Sequence, residues 1–153
     1  PERISILGSN YQINILHSHD NKITIRENIV EVYAKDIDQS TIELMLKQWL
    51  REIAYDIVKE RLDYFSKLMD LEYHRLIIKD QKTRWGSCSN LGNININFRI
   101  ITFPMEVIDY LVVHELSHIK HMDHSKEFWE NVKTYIPDYK HRRKLLRERE
   151  KIV

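Results

Sequence analysis

The chain has a single cysteine, Cys88, in 153 residues, so no internal disulfide framework can form. Three glycines and three prolines leave no flexible linker and no visible domain boundary. No internal repeat is present. The formal net charge of +1 shows no excess of either sign, so bulk charge points to no class of partner. No run approaches the ~18 apolar residues of a membrane span, and no signal peptide opens the chain. Neither a long heptad repeat nor an exposed apolar run calls for a dimer. The expectation is one unit over residues 1–153 that is cytoplasmic and monomeric, with no membrane partner.

What the chain does have is His114-Glu115-Leu116-Ser117-His118, followed by His124. On a helix, residues four apart lie on one face, so His114 and His118 can turn their imidazoles to one ion. Glu115 stands one step round the helix, within reach of a metal-bound water and outside the ligand set. This is the pattern of a zinc-dependent hydrolase. His124 makes a three-histidine site with an open fourth position, which distinguishes catalytic from structural zinc. Six residues of continuous helix would turn His124 about 240° away from His118. The helix must therefore end just after His118 and the chain must turn back. His121-Met122-Asp123 suits that turn, and Ser125 suits the cap of the next helix.

The remaining pattern predicts an α+β fold. Residues 1–37 alternate apolar and polar side chains between turn signals and read as an antiparallel strand meander. Residues 38–70 read as one long helix with an apolar stripe through Ile42, Leu46, Trp49, Ile53, Ile57, Leu62, Phe65 and Met69. Residues 71–153 make the metal-binding core. Residues 73–80 read as a strand, and 82–100 as a hairpin beside the metal helix. That helix starts at Pro104 and runs to about Ile119. A helix with Phe128, Trp129 and Val132 stops before Pro137. A basic amphipathic helix spans Asp138 to Val153, with Leu145, Leu146 and Ile152 on its apolar side.

From Thr83 to about Leu146 the chain resembles the YgjP-like metallopeptidase family, relatives of the SprT-like and Wss-type zinc proteases. The matching pieces are Arg84-Trp85-Gly86-Ser87-Cys88, the strand from Gly92 to Asn97, and Pro104 before Ile108-Asp109-Tyr110. The histidine block with His124-Ser125, Phe128-Trp129 and Pro137-Asp138-Tyr139 follow in order. The resemblance implies a zincin-like fold, one zinc ion per chain and a cytoplasmic prokaryotic protein. The histidine spacing also equals that of metzincins. Here His121 stands where that pattern has glycine, and no methionine follows Met122 to form a Met-turn.

The expected chemistry is peptide hydrolysis by a zinc-bound water that Glu115 activates as general base, with His114, His118 and His124 as ligands. Trp85, Gly86 and Ser87 are candidates for a substrate-binding edge, with Gly86 permitting close backbone approach. Core packing is the plain alternative for Trp85. Cys88 is either a small buried hydrophobe or a thiolate in the fourth metal position. Asn97 is read as structural, and Asp109, His121, Asp123 and Asp138 as exposed rather than supporting the ligands. Two other functions stay open. One is a zinc hydrolase of nucleotide phosphoanhydrides. The other is a nucleic-acid-associated protein using the basic C-terminal helix, whose plain reading is a solvated face.

Overall fold

The computed structural model describes residues 3–149. Four strands form the first sheet: β1 (Arg3–Ile6), β2 (Ser9–His17), β3 (Lys22–Arg26) and β4 (Ile29–Ala34), in the order β1-β2-β4-β3. The β1–β2 and β3–β4 pairs are antiparallel, as alternation and turns foretold. The sheet is nevertheless not a meander, because β2 lies parallel to β4, with Ile13 opposite Val30 and Ile15 opposite Val32. Alternation marks which face of a strand is apolar; it carries no information on which strand lies beside it or in which direction. Val30, Val32 and Ala34 of β4 are fully buried, which makes β4 an inner strand of the sheet and places β3 outside it.

Helix α1 (Gln39–Leu68) follows and is thirty residues long. Asp38 precedes its first turn and accepts hydrogen bonds from the hydroxyls of Ser40 and Thr41. Its fully buried line runs through Ile42, Leu50, Ala54, Val58, Leu62 and Phe65. Of the stripe expected from the sequence, Ile42, Leu62, Phe65 and Met69 are buried as expected, whereas its middle residues Leu46, Trp49, Ile53 and Ile57 pack only partly buried, to one side of this line. Ala54 and Val58 are small, and small side chains mark the point of closest approach while contributing little to a hydrophobicity pattern.

The second sheet holds β5 (Arg75–Lys79), β6 (Gly86–Cys88) and β7 (Asn93–Asn97) in the order β5-β7-β6. β5 runs parallel to β7, and β6 pairs antiparallel with it, so the expected hairpin forms and β6 is a sheet edge. A short 3-10 segment over Phe98–Thr102 leads into α2 (Met105–Ser117). α3 (Lys126–Tyr135) and α4 (Tyr139–Arg147) complete the described chain. α4 ends well before the Val153 expected from the sequence, and Ile152 lies outside the described residues. Val107, Ile108, Leu111, Val112, Val113 and Leu116 of α2 are all buried. α2 is thus a core helix with one polar face, and that face carries the histidines. No helix among the described residues is long and apolar enough to cross a membrane.

A candidate metal centre

The site is assembled around the C-terminal end of α2. The helix stops at Ser117, with His118 at its C-cap, two residues earlier than Ile119. The turn demanded by the position of His124 is therefore present. It is pinned on both sides. The backbone N–H of His121 donates to the Ser117 carbonyl. Asn131 of α3 donates to the buried Ser117 hydroxyl at 2.9 Å. Ser125 caps α3 by accepting from the N–H of Phe128, as expected. These contacts return the chain so that His114, His118 and His124 each present one nitrogen, all within 4.8 Å of one another. Among the described residues no other group of three or more His, Cys, Asp or Glu side chains gathers in this way.

Two aromatic side chains shape the cluster. Phe128 stacks on the ring of His118 at 4.5 Å, and Trp129 stacks on His124 at 5.7 Å. Tyr139 stacks in turn on Trp129 at 5.2 Å. His118 is held further by its own loop, because its Nδ1 lies 3.0 Å from the His121 carbonyl oxygen. A carbonyl only accepts, so Nδ1 carries the proton and Nε2 keeps its lone pair for a metal. It is the backbone of His121 that supports the ligand, a role that no side-chain pattern announces.

The donor set fits a metal ion. All three candidates are imidazoles, which bind zinc in their neutral form. Burial, followed by the neighbouring His114 and His118, holds His124 below the usual histidine range, so it favours that neutral form. Nδ1 of His114 is buried without a hydrogen bond; Oε2 of Glu115 stands 3.3 Å away but misaligned. A buried polar atom without a protein partner is consistent with a site built to receive an ion or water.

Glu115 is 2 % exposed, yet its carboxylate accepts no hydrogen bond among the described residues and opens on the clefts beside the histidines. Room for that carboxylate comes from β6. A Cβ on Gly86 would lie 3.0 Å from Oε2 of Glu115 and 3.1 Å from the Asn95 carbonyl. The glycine expected to admit a substrate backbone thus already admits a side chain of its own protein. Ser87 is half-buried and its hydroxyl accepts from Asn95. Trp85 is buried and packs edge-on against Phe103, while also lining the cleft. Cys88 sits at the far end of β6, and burial, then Glu115, pushes its thiol up to about 11.

Asn97, read as structural, is 2 % exposed. Its amide donates to the carbonyls of Gln81 and Arg84, and its carbonyl accepts from the N–H of Arg99. It thereby fixes the loop that enters β6. Asp109 is not exposed as expected. It forms a two-point ion pair with Arg61 of α1, at 2.7 and 3.0 Å, and locks α2 onto α1. Asp138 pairs with Arg142 at 3.0 Å.

The basic helix α4 is not a plain solvated face. Arg142 also donates to the Glu106 carbonyl, and Arg143 lies over the Trp129 ring at 4.8 Å. Leu146 is buried, Leu145 is exposed, and Arg147 reaches the same cleft as His114 and Glu115. Sequence reasoning missed that cleft wall, since its residues come from the 83–86 loop, α2, α3 and α4.

A family model for the YgjP-like metallopeptidase domain matches residues 1–149. Two solved structures share the fold. One is the metallopeptidase zymogen abylysin of Pyrococcus abyssi, at TM-score 0.54 and 22% identity over 58% of this chain and 90% of that one. The other is the zymogen jannalysin of Methanocaldococcus jannaschii, at TM-score 0.53 and 22% identity over 63% of this chain and 97% of that one. Among curated proteins no match is found.

Proposed function

The chain belongs to the YgjP-like metallopeptidase family, and on that premise we propose that it cleaves peptide bonds using one zinc ion held by His114, His118 and His124, with Glu115 as general base. The observation that carries this reading is the meeting of three imidazole nitrogens beside a carboxylate that no other group uses. When bound, zinc supplies Lewis acidity, polarising a carbonyl and making water acidic near neutral pH. Glu115 is placed to accept the proton of the attacking water and to return it to the leaving amine. The β6 edge, from Gly86 to Cys88, offers backbone groups on which an extended peptide can add as a further strand.

Metal content and turnover on an unstructured protein substrate test the reading together. Wild type purified without added metal should hold about one zinc per chain, and His124→Ala should lose it. Glu115→Gln should keep the metal and lose turnover by at least about a thousandfold. Normal turnover in Glu115→Gln would sink the general-base role, and a metal-free wild type after zinc addition would sink the whole reading. The arginines of the cleft favour a second reading, hydrolysis of a phosphoanhydride. Nucleoside triphosphates placed in the same panel decide between the two.

A further inference from the structure

The cleft that His114, Glu115 and His124 open on has a volume of about 390 Å³, and three guanidinium groups line it: Arg84, Arg143 and Arg147. Among the described residues Glu115 is the only acid in its wall. Among the described residues none of the three arginines has a carboxylate within 4.0 Å, although six other Lys or Arg ion pairs form. Arg84 and Arg147 are exposed, and Arg143 is held in place over Trp129. Tyr110 lines the same wall. Three like charges around one concave surface repel each other, and an anion between them removes the repulsion. A guanidinium fork matches a carboxylate geometrically.

The second cleft at the metal centre is different. Its lining runs from Gly86, Ser87 and Cys88 to Met122 and His118, with no lysine or arginine among the described residues. The two clefts meet at Gly86, His114, Glu115 and His124, so the centre divides a basic side from a neutral side. β6 runs from Gly86, at the basic side, to Cys88, at the neutral side. Antiparallel pairs outnumber parallel ones two- to three-fold, so an added peptide is taken to run opposite to β6. Its C-terminal portion then enters the basic cleft.

We propose that Arg84, Arg143 and Arg147 form a carboxylate-reading subsite that selects peptides bearing an acidic group on the C-terminal side of the bond to be cut. The group is either an Asp or Glu side chain or the free end of the chain. The inference rests on the peptidase reading, and its test keeps the two separable.

The probes are peptides with no other charged residue, labelled with an electrically neutral fluorophore, carrying one Glu at successive positions, each with a Gln counterpart, and one parent made as free acid and as amide. Anisotropy on zinc-loaded Glu115→Gln reads binding without turnover. Mass spectrometry on zinc-loaded wild type reads where cuts fall. Acidic peptides should bind about tenfold more tightly than their neutral counterparts at low salt, with the gap closing as salt rises. Cuts should fall on the N-terminal side of the Glu, and the free-acid and amide arms tell side chain from chain end. Arg84→Glu with Arg147→Glu, both at exposed positions, should erase the discrimination while zinc content and melting temperature stay at the wild-type values. Equal binding of acidic and neutral peptides overturns the proposal, as does discrimination that survives the double reversal or a preference for acid on the N-terminal side. Tight, arginine-dependent binding with no cleavage would leave the subsite standing and remove the peptidase reading; indiscriminate cleavage would do the reverse.

Discussion

Gly86 shows how narrowly single residues bear on this centre. Adding one methyl group there places it 3.0 Å from the Glu115 carboxylate and 3.1 Å from a backbone carbonyl that cannot swing away. Gly86→Ala should therefore lower kcat/KM by about 10²-fold with zinc content unchanged, since an error of about 1 Å in a reacting group costs that much. Steady-state kinetics with elemental analysis check it. Cys88 is the contrasting case. Burial opposes its ionisation and raises its thiol to about 11, so at neutral pH it is a neutral thiol. Alkylation of the metal-free protein should be slow at pH 7 and should keep accelerating up to about pH 10 rather than levelling off near 9. His114, Glu115 and His118 were legible in the sequence because one helical turn relates them, and His124 because its spacing from His118 demands that the chain leave the helix and turn back. Asn97 was legible only as structural, because its partners are backbone carbonyls at positions 81 and 84, which have no side-chain signature.

Between elements, two ion pairs carry predictions. Arg61 and Asp109 join α1 to α2 in a partly buried fork, with side chains 24% and 14% exposed. Asp109→Ala strands the guanidinium and should destabilise the fold by about 1–3 kcal/mol, read as a lower urea midpoint. Asp80 accepts from Lys47 of α1 and from Arg99 of the 3-10 segment, and these hydrogen bonds hold its carboxyl below the usual range. A depressed folded-state value contributes stability above the unfolded value of about 3.8, and that contribution is lost as pH falls through the folded one. Asp80→Asn should thus be less stable than wild type at pH 7, and the difference should shrink steadily below about pH 4 in urea titrations. The limits of sequence reading also show at this scale. Apolar alternation placed β2 and β4 but could not pair them in parallel, and only the middle of the stripe on α1 was displaced, because Ala54 barely registers as apolar. The end of α2 was placed within two residues because His124 imposed it.

For the whole molecule, the centre joins two different kinds of construction. The basic wall of the cleft was not legible because Arg84, Arg143 and Arg147 are far apart in sequence and meet only once β6 and α4 are both packed against α2. The metal ligands share one short stretch. Zinc should raise the melting temperature, by about 2.7 kcal/mol of stability at a hundredfold excess over Kd, and a chelator should reverse it. His124→Ala should abolish the shift, which differential scanning fluorimetry would show. The two constructions also differ in when they can appear. A ligand set confined to residues 114–124 closes a small loop, which costs little chain entropy and forms early. Glu115 meets Gly86 only after a contact across almost thirty positions has closed, and the arginine wall waits for the last helix. Capture of the ion and acquisition of chemistry are thus separate events in the life of the chain. A nascent or truncated form that ends soon after α3 would hold the ion and Glu115 but would lack the α4 arginines that read the substrate.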